Sequence, residues 1–227
     1  MKAIDKKLLV VVVAAVVSGN VAAYETGEWI VRAGYADVEP QESSTALKAD
    51  GTKLGGTGVG VDGAAALGLT VSYMVTPHIG VELLAATPFS HTLYTKGLSG
   101  QGLPDVRLGT TKHLPPTLSA QYYFLDANSK AQPYAGIGLN YTHFFNESVS
   151  HDAKDQLGAS NLSLDDSYGV AAELGFDWNL DENWLVNASV WYVQIETDAS
   201  VDTAVGKVKT TVTLDPWVYM VSIGHKF

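Results

Sequence analysis

Arg32, Glu82, Glu173 and Asp177 fall at positions where a strand pattern turns its side chains inward. Carboxylates grouped around a guanidinium can do general acid–base work, or they can neutralise one another as a buried network with Arg32 as its hub. The second reading fits better, because nothing nucleophilic accompanies them. No serine stands in a nucleophile elbow, and the chain has no cysteine, which removes thiolate zinc sites, cysteine nucleophiles and disulfide scaffolds together. The six histidines are scattered without metal-ligand spacing. Gly58, Gly60 and Gly63 match G-x-G-x-x-G, but they precede a strand instead of joining a strand to a helix. Asp152, Asp155, Asp165 and Asp166 could gather calcium, with a solvated loop as the simpler reading. The expectation is no enzyme, no cofactor and no metal.

The elements that carry these residues alternate. Leu67, Leu69, Val71, Tyr73 and Val75 are apolar with Gly68, Thr70 and Ser72 between them. Similar runs occupy about 29–38, 79–89, 117–124, 133–145, 168–178, 184–193 and 217–227. Period two with one apolar and one small or polar face means half-buried strands, eight of them. Runs of about ten residues match a strand that spans a bilayer. Thr76-Pro77-His78, 125–132 and 180–183 are short connections, and about 39–64, 90–113, 146–166 and 198–210 are long. Short and long alternate strictly, so the short turns share one end with both chain termini. Aromatics gather near strand ends, among them Trp29, Tyr35, Tyr73, Phe89, Tyr122, Phe124, Phe144, Trp184 and Trp217.

Composition agrees. The 227 residues are 46% hydrophobic and only 17% charged, where ordinary soluble domains are about 25% charged. A formal charge of −10 argues against nucleic acid as a partner. Residues 1–23 read as a secretory signal peptide, with Lys2, Lys6 and Lys7 before the apolar run Leu8–Val17 and Val21 and Ala23 at the cleavage positions. Residues 24–227 then form one all-β domain, an eight-stranded antiparallel up-and-down transmembrane β-barrel. The competing fold is a soluble lipocalin-like barrel. Two features oppose it: the inward rows are small and polar, and the chain closes an apolar row at Phe227, the expected signal to the barrel-assembly machinery.

Five segments, LGLTVSYMVTPHIGVELLAATPF (67–89), HLPPTLSAQYYF (113–124), PYAGIGLNYTHFFN (133–146), 166–192 and LDPWVYMVSIGHKF (214–227), together resemble the OmpW family of small outer-membrane barrels. The long loops, above all 39–64, carry little of the resemblance. It implies a narrow apolar interior that helps small hydrophobic molecules cross the bacterial outer membrane, with membrane lipid as the surrounding partner.

Strand phase adds detail. Val193, Val218 and Met220 are expected to give the lumen an apolar lining, and Leu84 and Trp191 to constrict it, leaving an apolar pocket above them; ordinary interior packing is the alternative. Pro88 in the third strand and Pro115 and Pro116 in the fourth cannot donate to the ladder. They either end their strands or leave a gap through which an apolar solute exits sideways into the bilayer. Passage of small hydrophobic solutes is the leading function. A structural or surface-interaction barrel, serving as receptor for phage, toxin or host, is the alternative, and a lipid-directed enzyme lacks its catalytic cluster.

Overall fold

A computed structural model of the chain describes residues 24–126 and 128–227. The expected signal peptide, residues 1–23, lies outside them. Eight strands close on themselves: β1 Trp29–Glu39, β2 Ala64–Thr76, β3 Ile79–Ala86, β4 Thr117–Tyr123, β5 Ala131–Val149, β6 Ser167–Asn179, β7 Trp184–Val193 and β8 Trp217–Lys226. Each pairs antiparallel with the next. The seam between β1 and β8 runs from Ile30↔Lys226 to Glu39↔Trp217, so no edge is left.

The barrel is inside out relative to a soluble one. Along β8, Tyr219, Val221 and Ile223 are exposed while Val218, Met220 and Ser222 are buried. On the other strands Thr70, Ser72, Ser119, Gln121 and Asn187 face in, and Leu67, Leu118, Ile137, Leu139 and Leu174 face out. Polar rows inside and leucine, valine and tyrosine outside suit a wall between water and hydrocarbon. Side chains shape the short turns. The Thr76 hydroxyl accepts from the backbone N–H of Ile79 at 3.0 Å, and Asp181 accepts from the N–H of Asn183 and Trp184 at 2.9 and 2.8 Å.

The long connections are ordered, where the sequence suggested only loops. Phe89–Lys96 pairs with Arg107–Leu114, Gly58–Val61 extends that hairpin, and the far end of β5 continues it, giving one sheet above the rim. Glu196–Thr203 and Gly206–Thr213 form a second hairpin, flanked by Ser160–Leu164 and Lys48–Ala49. A short helix, His151–Leu157, is capped by the Ser150 hydroxyl and by Gly158 in the left-handed conformation.

Two expected placements are corrected. Phe89 and Phe144 were counted in the outer aromatic belt, and both are buried, at 2% and 5% exposure. Pro88 was expected inside β3 with its side chain inward, yet it is exposed and lies past the strand end. Pro115 and Pro116 likewise lie before β4, not within it. The chain slips register around Pro88, which reverses the phase of Phe89–Lys96, while Thr117–Tyr123 and the later barrel strands keep the expected phase.

Gly34 sits on the seam, where an added Cβ would meet the Val221 carbonyl oxygen at 2.0 Å. Gly34→Val is expected to prevent closure, seen as loss of the heat-modifiable folded band on an unboiled gel. Gly100→Ala, at a position with open space, keeps that band.

Candidate functional site

The interior divides into a polar lower part at the short-turn end and an apolar upper part. In the lower part Arg32 reaches acceptors on four other strands. Its Nη1 donates to Ser72 Oγ at 2.8 Å and to Glu82 at 3.1 Å, and its Nε and Nη2 take both oxygens of Asp177 at 3.1 and 2.5 Å. Nη2 also donates to the Tyr123 hydroxyl, which donates to Gln121. The forked, planar guanidinium suits this bidentate grip. Arg32, Glu82 and Asp177 are all at most 1% exposed. Glu173 joins at one remove, accepting from the Gln121 amide at 3.1 and 3.3 Å. Asn187 donates to Asp177 and to the Tyr134 hydroxyl.

Below the hub, Tyr24 donates to Asp177 at 2.5 Å and packs edge-on against Tyr123. With Ile30, Met74, Tyr134 and Leu185 it fills the bottom of the barrel. The role of Tyr24 was not legible, because it precedes the first strand and has no periodicity of its own. Phe227 is tied in by its backbone, which exchanges hydrogen bonds with Trp29 at 2.9 and 3.2 Å, while its side chain stays exposed.

Above the hub the interior is apolar. Leu84, Trp191, Val193, Val218 and Met220 belong to one buried cluster. Over Leu84 lies a pocket of about 20 Å³, bounded also by Val193, Val218, Phe89 and Pro115; Trp191 does not line it. Higher still, the two extramembrane sheets enclose an apolar cavity of about 140 Å³, walled by residues such as Leu47, Leu93, Leu108, Leu162 and Val208. Exposed Leu103 and Val205 form part of its rim.

A septum separates cavity from pocket. The His113 ring packs edge-on against Phe89 at 5.4 Å and His91 at 4.7 Å, and tilted against Phe144 at 5.6 Å. His91 borders the cavity and His113 the pocket. Burial holds both imidazoles below their ordinary value of 6.5, His113 down at about 3 with His91 adding to its shift. Both are therefore neutral at neutral pH. The His91 Nδ1–H donates to the Asp62 carbonyl at 2.6 Å, so its bare Nε2 accepts from the Nε2–H of His113 at 3.3 Å. The pair looked scattered in the sequence. The hairpin that places Phe89 opposite His113 brings it together.

The wall beside this pocket is incomplete. The ladder from β3 to β4 runs from Ile79↔Tyr122 to Leu84↔Thr117 and resumes only at Phe89↔His113. Among the described residues no backbone hydrogen bond ties 85–88 to 114–116. On the other flank the prolines are held: Tyr141 N–H donates to the Pro116 carbonyl at 3.1 Å, and the Asn140 amide donates to both proline carbonyls. Pro88, Pro115 and Pro116 thus lie at one interruption between β3 and β4. Gly58 and Gly60 occupy an outer strand of the extramembrane sheet, and Asp166 accepts from Tyr141 and His143.

The OmpW family model matches residues 25–227. Outer membrane protein W of Vibrio cholerae is 47% identical over 216 residues, 95% of this chain and 96% of its own. The crystal structure of the outer membrane protein OprG from Pseudomonas aeruginosa superposes with a TM-score of 0.86 at 47% identity, covering 90% of this chain and 98% of that one. The more distant dibenzothiophene metabolism operon protein PahQ of Pseudomonas aeruginosa is 26% identical over 204 residues, 89% of this chain and 90% of its own.

Arg32→Met strands two buried carboxylates and is expected to cost about 3–5 kcal/mol in unfolding from lipid vesicles, most of it recovered by adding Glu82→Gln and Asp177→Asn. Wild-type stability of the single variant contradicts the hub. The histidines give a pH dependence. Their folded values are depressed, so the unfolded chain binds more protons below pH 6.5 and stability falls as pH drops from 6.5 towards 3. Amide protection factors in 89–96 and 107–114, which remove the intrinsic slowing of exchange towards acid pH, should fall over that range, and His113→Phe should flatten the response.

Proposed function

The chain belongs to the OmpW family of bacterial outer-membrane barrels, and on that premise we propose that it passes small hydrophobic molecules from the cell exterior into the membrane. The solute enters the extramembrane cavity, crosses the septum and leaves sideways between β3 and β4. The cavity carries this reading. About 140 Å³ of apolar space is close to the roughly 150 Å³ in which an engineered protein cavity binds benzene. Transfer of apolar surface from water into such a space gains about 25 cal/mol per Å².

The polar hub explains why the exit is lateral. An apolar solute moving straight down would have to displace Arg32 from two carboxylates and dislodge Tyr24, leaving buried charges unpaired. The hydrocarbon beside residues 85–88 presents no such barrier. In this scheme Leu84 and Trp191 close the floor of the path, and Val193, Val218 and Met220 keep it dry. Pro88, Pro115 and Pro116 hold the wall open by removing donors where a ladder would form. The name of PahQ ties that relative to the metabolism of dibenzothiophene, an apolar aromatic, which supports the same class of solute. Phe227, with its side chain exposed, is the residue we assign to recognition by the assembly machinery. No bond is made or broken, so the protein acts as a passive channel and not as an enzyme.

The test is uptake of a labelled alkane or small arene by a deletion strain carrying the protein. Ala86→Trp, whose ring is too large for the pocket and covers the interruption instead, should bring uptake down near the level of the deletion strain, with the folded band intact and Gly100→Ala unaffected. Unchanged uptake in a folded Ala86→Trp variant contradicts lateral exit.

A further inference from the structure

The pocket next to the interruption is not uniformly apolar. Two polar side chains line it, Thr117 and His113. Thr117 is fully engaged: its hydroxyl donates to the Pro115 carbonyl at 3.2 Å and accepts from the Asn140 amide at 2.9 Å. His113 is not. The chain of donors that starts at the Asp62 carbonyl and passes through His91 uses up its Nε2–H, so its Nδ1 must carry a bare lone pair. That atom is buried and finds no donor among the described residues. An unmade hydrogen bond in an apolar setting is costly, and a group that supplies the missing donor is favoured there.

We propose that the septum selects solutes that carry a single hydrogen-bond donor on a small apolar body, such as a phenol, whose hydroxyl donates to His113 Nδ1 as the molecule passes. The proposal rests on the passage reading and names the solute class within it. The dimensions agree. About 20 Å³ accommodates a hydroxyl-sized group and not a ring. The ring lies in the interruption bounded by Ala85, Ala86 and Pro115, facing hydrocarbon. Solutes with two or more donors would leave one unpaired in the same pocket, and a carboxylate or ammonium would meet no opposite charge.

Phenol, anisole and toluene separate the possibilities, because anisole keeps the ring and oxygen of phenol but has no donor. Binding is measured on the full chain in lipid nanodiscs, corrected for partition into empty discs. Phenol should bind roughly tenfold tighter than anisole or toluene, and His113→Phe should abolish that preference while toluene binding persists. In the unaltered protein the ¹⁵N resonance of His113 Nδ1 should move on adding phenol and not anisole, a readout independent of any variant. Equal binding of all three with an unmoved Nδ1 signal overturns the donor selection and leaves the passage reading standing. Failure of all three to bind overturns both.

Discussion

Hydrocarbon offers no hydrogen-bond partner, so every backbone N–H and C=O within the membrane must be satisfied by the chain itself. That constraint forces the eight strands to close, with β1 on β8, and it sets the value of each departure from the ladder. The break at 85–88 and 114–116 is tolerated because proline supplies no N–H to strand, and because Asn140 and Tyr141 cover the proline carbonyls from the β5 side. The interruption is thus made from the one residue type that lowers the cost of leaving a wall unpaired.

The same accounting explains the two halves of the interior. Eight strands enclose a lumen just wide enough for side chains to fill. In the lower half it is filled by charge: one guanidinium against Glu82 and Asp177, with Tyr24, Tyr123 and Tyr134 excluding water around them. Such a network is stable only while complete, which makes it a poor route and a firm plug. In the upper half leucine, valine, phenylalanine and methionine replace charge, and the extramembrane sheets extend that dry space beyond the membrane. In the passage proposed here, this sharp polar-to-apolar boundary is what turns a small apolar molecule towards the wall.

Much of this could be read from alternation. The eight strands, the position of the short turns and the inward row of Arg32, Glu82, Glu173 and Asp177 follow from a period of two once one face is known to meet lipid. The reading failed at the prolines. A strict period carried Phe89 outward and Pro88 inward, whereas the slip at 85–88 reverses both. The histidine pair was hidden for the same reason, since His91 and His113 are 22 residues apart and meet only through the resulting hairpin. Of the ordered strands in the long loops, Lys48–Ala49 is too short to show a period, and the eight-residue ones hide theirs because the buried row mixes apolar with polar residues, as Phe89, His91, Leu93 and Thr95 do. Tyr24 lies before the first strand, where no pattern points inward.

Where the solute sits tests the account most directly. Anomalous diffraction from crystals soaked with a small bromoarene locates it without perturbing any residue. Bromine is expected between Leu93 and Val208 in the extramembrane cavity and beside Ala86 and Pro115 at the wall, with none beneath the Arg32 hub. Bromine between Arg32 and Tyr24, on a straight path to the periplasm, would contradict it.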